Sequence, residues 1–178
     1  MNLVFYGSIA VAGYLLLQVF LLVSFKVPTN SMTPALLPGD FILVEKLSMG
    51  PRLFNVSKSL RREDVEVYRL PGLRGIRRND VVVFNFPYEY DRWDSVRFHV
   101  MQYYTKRCIG LPGDEHIETY TFTHDYYFMA GDNVVSSIDS RFWGLVPDDY
   151  IVGRVWRIWK SADRQGNLRW NRIGKKVE

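Results

Sequence analysis

Ser31 lies in the stretch P-T-N-S-M-T-P at 28–34, a few residues after an apolar N-terminal run, and its hydroxyl is a candidate nucleophile. A serine hydroxyl is a poor nucleophile at neutral pH and needs a base that takes its proton. His99, His116 and His124 lie beside no strong catalytic motif, which leaves lysine as the alternative base. A lysine acts as a base only when it is neutral, and burial or cationic neighbours must lower its pKa for that.

Lys106 meets this requirement better than the other lysines. In a strand, side chains alternate between two faces, so Tyr104, Lys106 and Cys108 share one face and Arg107 points to the other. An aromatic ring and a thiol are suitable neighbours for an uncharged amine. The periodicity alone leaves open a lysine that snorkels to the surface.

Four motifs place both residues in a wider pattern. They are P-T-N-S-M-T-P-A-L-L-P-G-D at 28–40, R-N-D-V-V-V-F at 78–84, K-R-C-I-G-L-P-G-D at 106–114 and G-D-N-V-V-S-S-I-D-S-R-F-W-G at 131–144. In this order, after an apolar N-terminus, they resemble the bacterial type I signal peptidases, which are membrane-bound Ser–Lys endopeptidases. The resemblance covers about residues 3–160, and the last motif is the most specific.

The resemblance implies a role for each matched residue. Ser31 would be the nucleophile, Lys106 the general base and Ser137 the residue that orients the lysine amine. The Thr29 hydroxyl and the Ser31 backbone N–H would form the oxyanion hole. The remaining matched residues would support the site. Asp139 and Arg141 would form a structural ion pair, and Gly131, Asp132 and Asn133 a turn. Met32 and Pro34 would shape the cleft beside the nucleophile.

Some segments depart from the family pattern. Residues 115–130 form a shorter connection than is usual, and residues 47–75 and 87–103 look like additions. Asn30 precedes the nucleophile where a smaller residue is usual, and Val134-Val135 replace more polar residues. These changes bear on substrate selection more than on chemistry.

Residues 3–25 are predicted to be an uncleaved transmembrane anchor. The segment has no charged side chain and would span about 34 Å as a helix, enough for a hydrocarbon core of about 30 Å. A cleavable signal peptide fits less well, because no Lys or Arg precedes the run and no A-x-A pattern follows it. Ser31, six residues after Phe25, would lie at most about 20 Å from the end of the anchor.

Charge gives almost no indication of how this anchor is oriented in the membrane. The resemblance implies a single-pass protein of the bacterial cytoplasmic membrane with its catalytic domain on the extracytoplasmic side.

Residues 26–160 are predicted to form a mainly β catalytic domain, antiparallel or mixed. Short β-branched and aromatic runs bounded by Gly and Pro indicate strands at 40–46, 65–70, 80–86, 100–110, 126–130 and 150–160. Residues 53–64 are predicted to be a short helix or loop, and residues 161–178 a basic C-terminal tail.

No cofactor is expected. The lone Cys108 excludes an intrachain disulfide, and the histidines lack metal-ligand spacing. The net charge of +4 is concentrated after residue 153, which would suit lipid headgroups or nucleic acid, but a solvated basic end explains it as well. The resemblance implies signal peptides of preproteins and a lipid bilayer as partners, and no nucleic acid.

The expected activity is hydrolysis of signal peptides through an acyl-enzyme on Ser31. A specialised Ser–Lys processing peptidase, of the pilin or organelle inner-membrane type, is the alternative within the same chemistry. A catalytically silent membrane-bound homologue is the alternative from another class. Both Ser31 and Lys106 are present, which argues against it. A basic lipid- or nucleic-acid-binding anchor protein would explain the charge but none of the motifs.

Overall fold

A computed structural model describes residues 2–55, 57–58, 61, 67–86, 103–114 and 125–178 of the chain. Of the predicted addition at 87–103, residues 87–102 lie outside the described residues, as do the first part of the short connection (115–124) and half of the predicted helix or loop at 53–64. The three histidines also lie outside them.

The chain begins with helix α1 (Asn2–Phe20), which is shorter at its C-terminal end than the predicted anchor. After Leu21 the chain enters strand β1 (Leu22–Lys26), which pairs antiparallel with strand β2 (Asp40–Glu45). Val23 and Phe25 pack against the core, so the apolar residues that continue the helical run serve a sheet instead. Ser31 is thus eleven residues beyond the helix end, and its greatest distance from that end rises to about 40 Å.

One seven-stranded sheet forms the body of the protein, with strand order β1-β2-β9-β5-β6-β7-β8. Every pairing among the described strands is antiparallel, and the sheet curves into a half-barrel, which confirms the predicted β fold. The remaining strands of this sheet are β5 (Val81–Asn85), β6 (Tyr103–Gly110), β7 (Tyr126–Ala130), β8 (Val146–Pro147) and β9 (Ile151–Ser161).

Apolar side chains cover both faces of the sheet, and strand β5 shows the division. Val82 and Phe84 lie in one buried cluster, whereas Val81 and Val83 lie in another. This follows from the period of two along a strand. A run of consecutive β-branched residues is what a strand buried on both sides requires, so the central position of β5 explains its sequence.

A small second sheet pairs β3 (Arg52–Phe54) with β4 (Val67–Arg69). The predicted helix or loop at 53–64 therefore begins inside a strand. The guanidinium groups of Arg52 and Arg69 donate to backbone carbonyls of Asp149 and Ile151, each at 2.8 Å, and join this hairpin to the start of β9.

The predicted basic tail folds back on the sheet. Ala162 pairs with Leu168, and Lys176 pairs with Arg157 of β9. The guanidinium of Arg172 reaches the buried carboxylate of Asp40, with 2.6 Å between Nη2 and Oδ2. A buried ion pair of this kind holds the C-terminal segment against the start of β2.

Candidate active site

The loop that carries Ser31 is fixed at both ends. Val27 N donates to Asp40 O at 2.8 Å, and Gly39 N donates to Val27 O at 2.9 Å. Within the loop Met32 is buried in the core, and Leu36 N donates to its carbonyl at 2.8 Å. The buried Met32 side chain anchors the loop, and the neighbouring Ser31 is half-buried.

The Thr29 hydroxyl lies beside the Ser31 hydroxyl, with 3.3 Å between Oγ1 and Oγ, and either oxygen can be the donor. Thr29 itself is exposed. The two hydroxyl groups therefore lie side by side on the serine loop.

Lys106 lies on β6 opposite Val82 of β5, and its side chain is only 3% exposed. Its face-mate Cys108 is fully buried in the cluster that contains Val82. The alternation predicted from the sequence therefore describes this strand. Burial lowers the pKa of the Lys106 amine, because the charged form loses hydration; Asp139 raises the pKa and Arg141 lowers it.

The Lys106 amine donates to the Ser137 hydroxyl, with 2.8 Å between Nζ and Oγ. Ser137 is 4% exposed and also hydrogen-bonds the Asp139 carboxylate. Because an ionised carboxylate only accepts, Ser137 donates to Asp139 and accepts from Lys106. A neutral amine held in this way keeps its lone pair free for another proton.

Asp139 is fully buried and fixes the loop around Ser137. Its carboxylate accepts from Gly131 N at 2.8 Å and from Arg141 Nε and Nη2 at 2.7 and 2.9 Å. Burial alone would raise the pKa of Asp139. The hydrogen bonds from Arg141, Gly131 and Ser137 overcome that effect and hold the pKa at about 2. The carboxylate is thus ionised at neutral pH and stays an acceptor.

The turn at 131–133 joins the serine loop to the lysine strand. Asn133 N donates to Ser31 O at 3.0 Å, and Asn133 Nδ2 donates to Asn30 O at 3.2 Å. On the other side Asp132 forms a two-point ion pair with Arg107, the residue after Lys106, at 2.7 and 2.8 Å.

Gly131 sits where the two halves of the site meet. A Cβ atom at this position would lie 2.1 Å from Ser137 Oγ and 2.6 Å from the Ser31 backbone oxygen. Both oxygens therefore lie close to the Cα atom of Gly131, and only a residue without a side chain fits at this position. The hydroxyl that binds the Lys106 amine thus lies next to the Ser31 backbone.

Sequence reasoning missed two contacts that assemble this site. It placed Arg107 on the face away from Lys106, which agrees with the structure, but did not find Asp132 as its partner. It also assigned Asn133 to a turn without its hydrogen bond to Ser31 O. Of the two residues expected to shape the cleft, Met32 is buried and Pro34 is exposed.

A metal ion has no evident binding site in the part of the chain that the structure describes. No group of three or more His, Cys, Asp or Glu side chains converges there. Burial also raises the pKa of the Cys108 thiol to about 12, so this cysteine is a core residue rather than a reactive thiolate.

Comparison with known proteins gives one consistent result. The family model described as "Signal peptidase, peptidase S26" matches residues 1–119 and 115–159. The chain is 30% identical to "Signal peptidase I" of Pseudomonas fluorescens over 83% of its length and 68% of that relative. It is 28% identical to "Signal peptidase I" of Pseudomonas aeruginosa, over 90% of the chain and 73% of the relative. It is 32% identical to "Signal peptidase I" of Bacillus caldolyticus, over 85% of the chain and 87% of the relative.

Proposed function

The chain belongs to the S26 signal peptidase family, whose members cleave signal peptides from secreted precursors, and we propose that Ser31 and Lys106 perform this cleavage as nucleophile and general base. The observation that carries the proposal is the 2.8 Å hydrogen bond between the buried Lys106 amine and Ser137, beside the backbone of Ser31. Among the residues that the structure describes, Lys106 has no direct carboxylate partner, and burial disfavours its charged form, as a lysine base requires.

In the proposed reaction the neutral Lys106 amine takes the proton of the Ser31 hydroxyl as Oγ attacks the scissile carbonyl. Negative charge then develops on the carbonyl oxygen. The Ser31 backbone N–H and the Thr29 hydroxyl are the proposed donors to it. The lysine ammonium returns its proton to the leaving amine. Water, deprotonated by the same amine, then releases the signal peptide from Ser31.

Ser137 and Asp139 position the base in this scheme. Ser137 accepts one hydrogen of the amine and gives its own hydrogen to Asp139. The lysine lone pair therefore accepts no hydrogen bond from Ser137 and is available to take the proton of Ser31. The turn at 131–133 holds the serine loop next to the lysine strand. Met32 keeps the loop anchored in the core.

We also propose that α1 is a single-pass membrane anchor, with the catalytic sheet on the extracytoplasmic side. Leu3–Phe20 is apolar enough to span a membrane, with a mean hydropathy of 1.9 and no part of it buried in the protein. Nineteen helical residues cover about 29 Å, close to the thickness of a hydrocarbon core. The orientation follows from the substrate, because a signal peptide is removed on the side to which its precursor is exported.

Incubation of the purified full chain in detergent with a preprotein tests the assignment. The wild-type chain and Ser57→Ala, an exposed serine remote in sequence from the site, should release the signal peptide. Ser31→Ala and Lys106→Ala should each lose nearly all cleavage, because nucleophile and base act as a unit. Cleavage by Ser31→Ala at the wild-type rate would overturn the proposal. An inactive wild-type chain would support a silent binding homologue instead.

A further inference from the structure

Lys46, the residue after β2, contacts the C-terminal end of helix α1. Its amine donates to Gln18 O at 2.7 Å and to Val19 O at 3.1 Å. Its backbone N–H donates to Leu21 O at 2.9 Å. Lys46 thus binds two carbonyls of the last helical turn and the carbonyl of the residue that follows the helix.

These contacts satisfy hydrogen-bond acceptors at the C-terminal end of the helix. The last carbonyls of an α-helix have no partner within the helix, and they carry the negative end of its dipole. A lysine amine donates hydrogen bonds to these carbonyls, and its positive charge is favourable at the negative end of the dipole. Burial and, secondarily, the nearby Arg52 guanidinium lower the pKa of Lys46 to about 8, a value at which most of the amine is still cationic at pH 7.

The end of the helix leads directly into the sheet. Leu21 is the single residue between α1 and β1, and the strand pairing begins at once with Leu22 opposite Glu45. Glu45 is itself fixed, because its carboxylate accepts from Ser48 N and from Arg154 Nε at 2.9 and 2.8 Å. Strand pairing fixes the position of the helix end, and the Lys46 amine adds two contacts that fix its direction.

We propose that Lys46 is a positioning residue that sets the height of Ser31 above the membrane by clamping the end of the anchor helix. Strand β1 leads from the helix end to the loop that carries Ser31, and that loop is fixed at both ends by hydrogen bonds. Fixed contacts therefore connect the helix end to the nucleophile. This inference depends on the proposed function. It adds that the enzyme selects precursors by the spacing between their apolar segment and their cleavage site.

The spacing matters because both chains are held by the same bilayer. The apolar segment of the precursor stays in the hydrocarbon core, while its scissile bond must reach Ser31. If the height of Ser31 is fixed, only precursors with a matching number of connecting residues deliver the bond to the nucleophile. A misplacement of about 1 Å at a reacting centre can cost as much as about 100-fold in rate.

The test uses the full chain in liposomes with two kinds of substrate. One is a preprotein series with zero to six residues inserted before the cleavage site; the other is a short soluble peptide that contains the same site. The wild-type chain should show a sharp optimum in the series. Lys46→Met should lose about tenfold in kcat/KM at that optimum and show a broader dependence on spacing, with peptide cleavage within about twofold of wild type.

Three variants complete the design. Lys46→Arg keeps a cationic donor for the two carbonyls and should restore the sharp optimum. Lys46→Gln keeps one neutral donor, should fall between wild type and Lys46→Met, and replaces the latter if it does not fold. Lys58→Met removes an exposed lysine elsewhere and controls for the loss of one charge.

Each other outcome is decisive. Equal losses on peptide and preprotein would mean a general effect on folding or the site and would overturn the inference. An unchanged spacing dependence in Lys46→Met would also overturn it. If the wild-type chain cleaves neither substrate, the proposed function fails, which is a different result from failure of the clamp.

Discussion

The Lys106 amine and the Ser137 hydroxyl form a buried hydrogen bond of 2.8 Å, and neither residue is more than 4% exposed. Ser137 separates the amine from Asp139, whose carboxylate is occupied by Arg141 and the Gly131 N–H. The amine is therefore oriented by a neutral group, while Arg141 neutralises the negative charge of Asp139. This arrangement favours the uncharged amine, and it leads to predictions about pH dependence.

The first prediction concerns the basicity of Lys106. The active form is the neutral amine and its pKa is lowered by burial, so kcat/KM should rise with pH with an apparent pKa below that of free lysine, about 10.4. Lys106→Arg should be inactive throughout, because a guanidinium does not deprotonate in this range. A pH–rate profile of the two proteins on one peptide checks this. Substantial activity of Lys106→Arg would show that charge, not basicity, is required.

The second prediction concerns Arg141, whose positive charge lowers the pKa of Lys106, whereas Asp139 raises it. Arg141→Gln leaves Asp139 unneutralised, so the pKa of the amine should rise. The rising limb of the pH–rate profile should then move to higher pH, by a few tenths of a unit to about one unit. Asp139→Asn should move it in the opposite direction. The shift in Arg141→Gln should shrink as salt is raised, since Arg141 is partly exposed, whereas the shift in Asp139→Asn should depend less on salt, since Asp139 and Lys106 are both buried. Shifts of the same sign would contradict the electrostatic explanation.

Local patterns in the sequence were sufficient to predict the lysine strand. The period of two placed Lys106 and Cys108 on one face, and the β-branched and aromatic run at 80–86 indicated a strand; the structure adds that Lys106, Cys108 and residues 81–83 are buried. The mainly β fold was predicted for the same reason. These features depend on neighbours along the chain, which a sequence displays directly.

Features that depend on distant partners were not predictable. Leu22–Lys26 reads equally well as the end of an apolar helix or as a strand, and only pairing with β2 decides between them. Arg172 reads as part of a basic tail, because its partner Asp40 lies 132 residues away. Arg107 and Asp132 could be placed on faces and turns, but their pairing depends on the register between β6 and the turn after β7.

The third prediction concerns Thr29, whose hydroxyl lies 3.3 Å from Ser31 Oγ. If it donates to the developing oxyanion, Thr29→Val should lower kcat by about 10²–10³-fold with little change in KM, because the contact strengthens only in the transition state. Thr29→Ser keeps the hydroxyl and should retain most of the rate. Steady-state kinetics on one peptide distinguish the variants. An unchanged kcat in Thr29→Val would leave the Ser31 N–H as the main donor.

The fourth prediction concerns Gly131. An added methyl group would lie 2.1 Å from Ser137 Oγ and 2.6 Å from the Ser31 carbonyl oxygen, distances that no real contact tolerates. Gly131→Ala should therefore push the serine loop away from the lysine and lower kcat by about 100-fold or more. Circular dichroism and a melting curve, recorded beside the kinetics, separate this local effect from unfolding. Wild-type activity in a folded Gly131→Ala chain would show that the two halves of the site need not be in contact.

The fifth prediction concerns the ion pair between Arg172 and Asp40, which holds the C-terminal segment on the sheet. Burial raises the pKa of Asp40, but hydrogen bonds from Arg172, Leu37 N and Ser161 together lower it below its ordinary value. A carboxyl with a depressed folded-state pKa stabilises the protein above its unfolded pKa of about 3.9, and this contribution is lost as the pH falls toward the folded value. The wild-type free energy of unfolding should therefore fall on acidification below about pH 4.

Arg172→Met leaves the buried Asp40 carboxylate with Ser161, Leu37 N and the more distant Arg169, at 3.6 Å. Removal of one partner of a buried pair costs about 3–5 kcal/mol, and the remaining partners should place this variant near the lower end of that range at pH 7. Its Asp40 should titrate at a higher pH than in the wild type, so the difference in unfolding free energy between the two proteins should narrow as the pH is lowered. Urea denaturation at pH 7 and pH 4 measures both effects, with the exposed Arg164→Met as the control for loss of one charge. A constant difference between the two pH values would mean that Arg172 stabilises the C-terminal segment through packing rather than through the charge of Asp40.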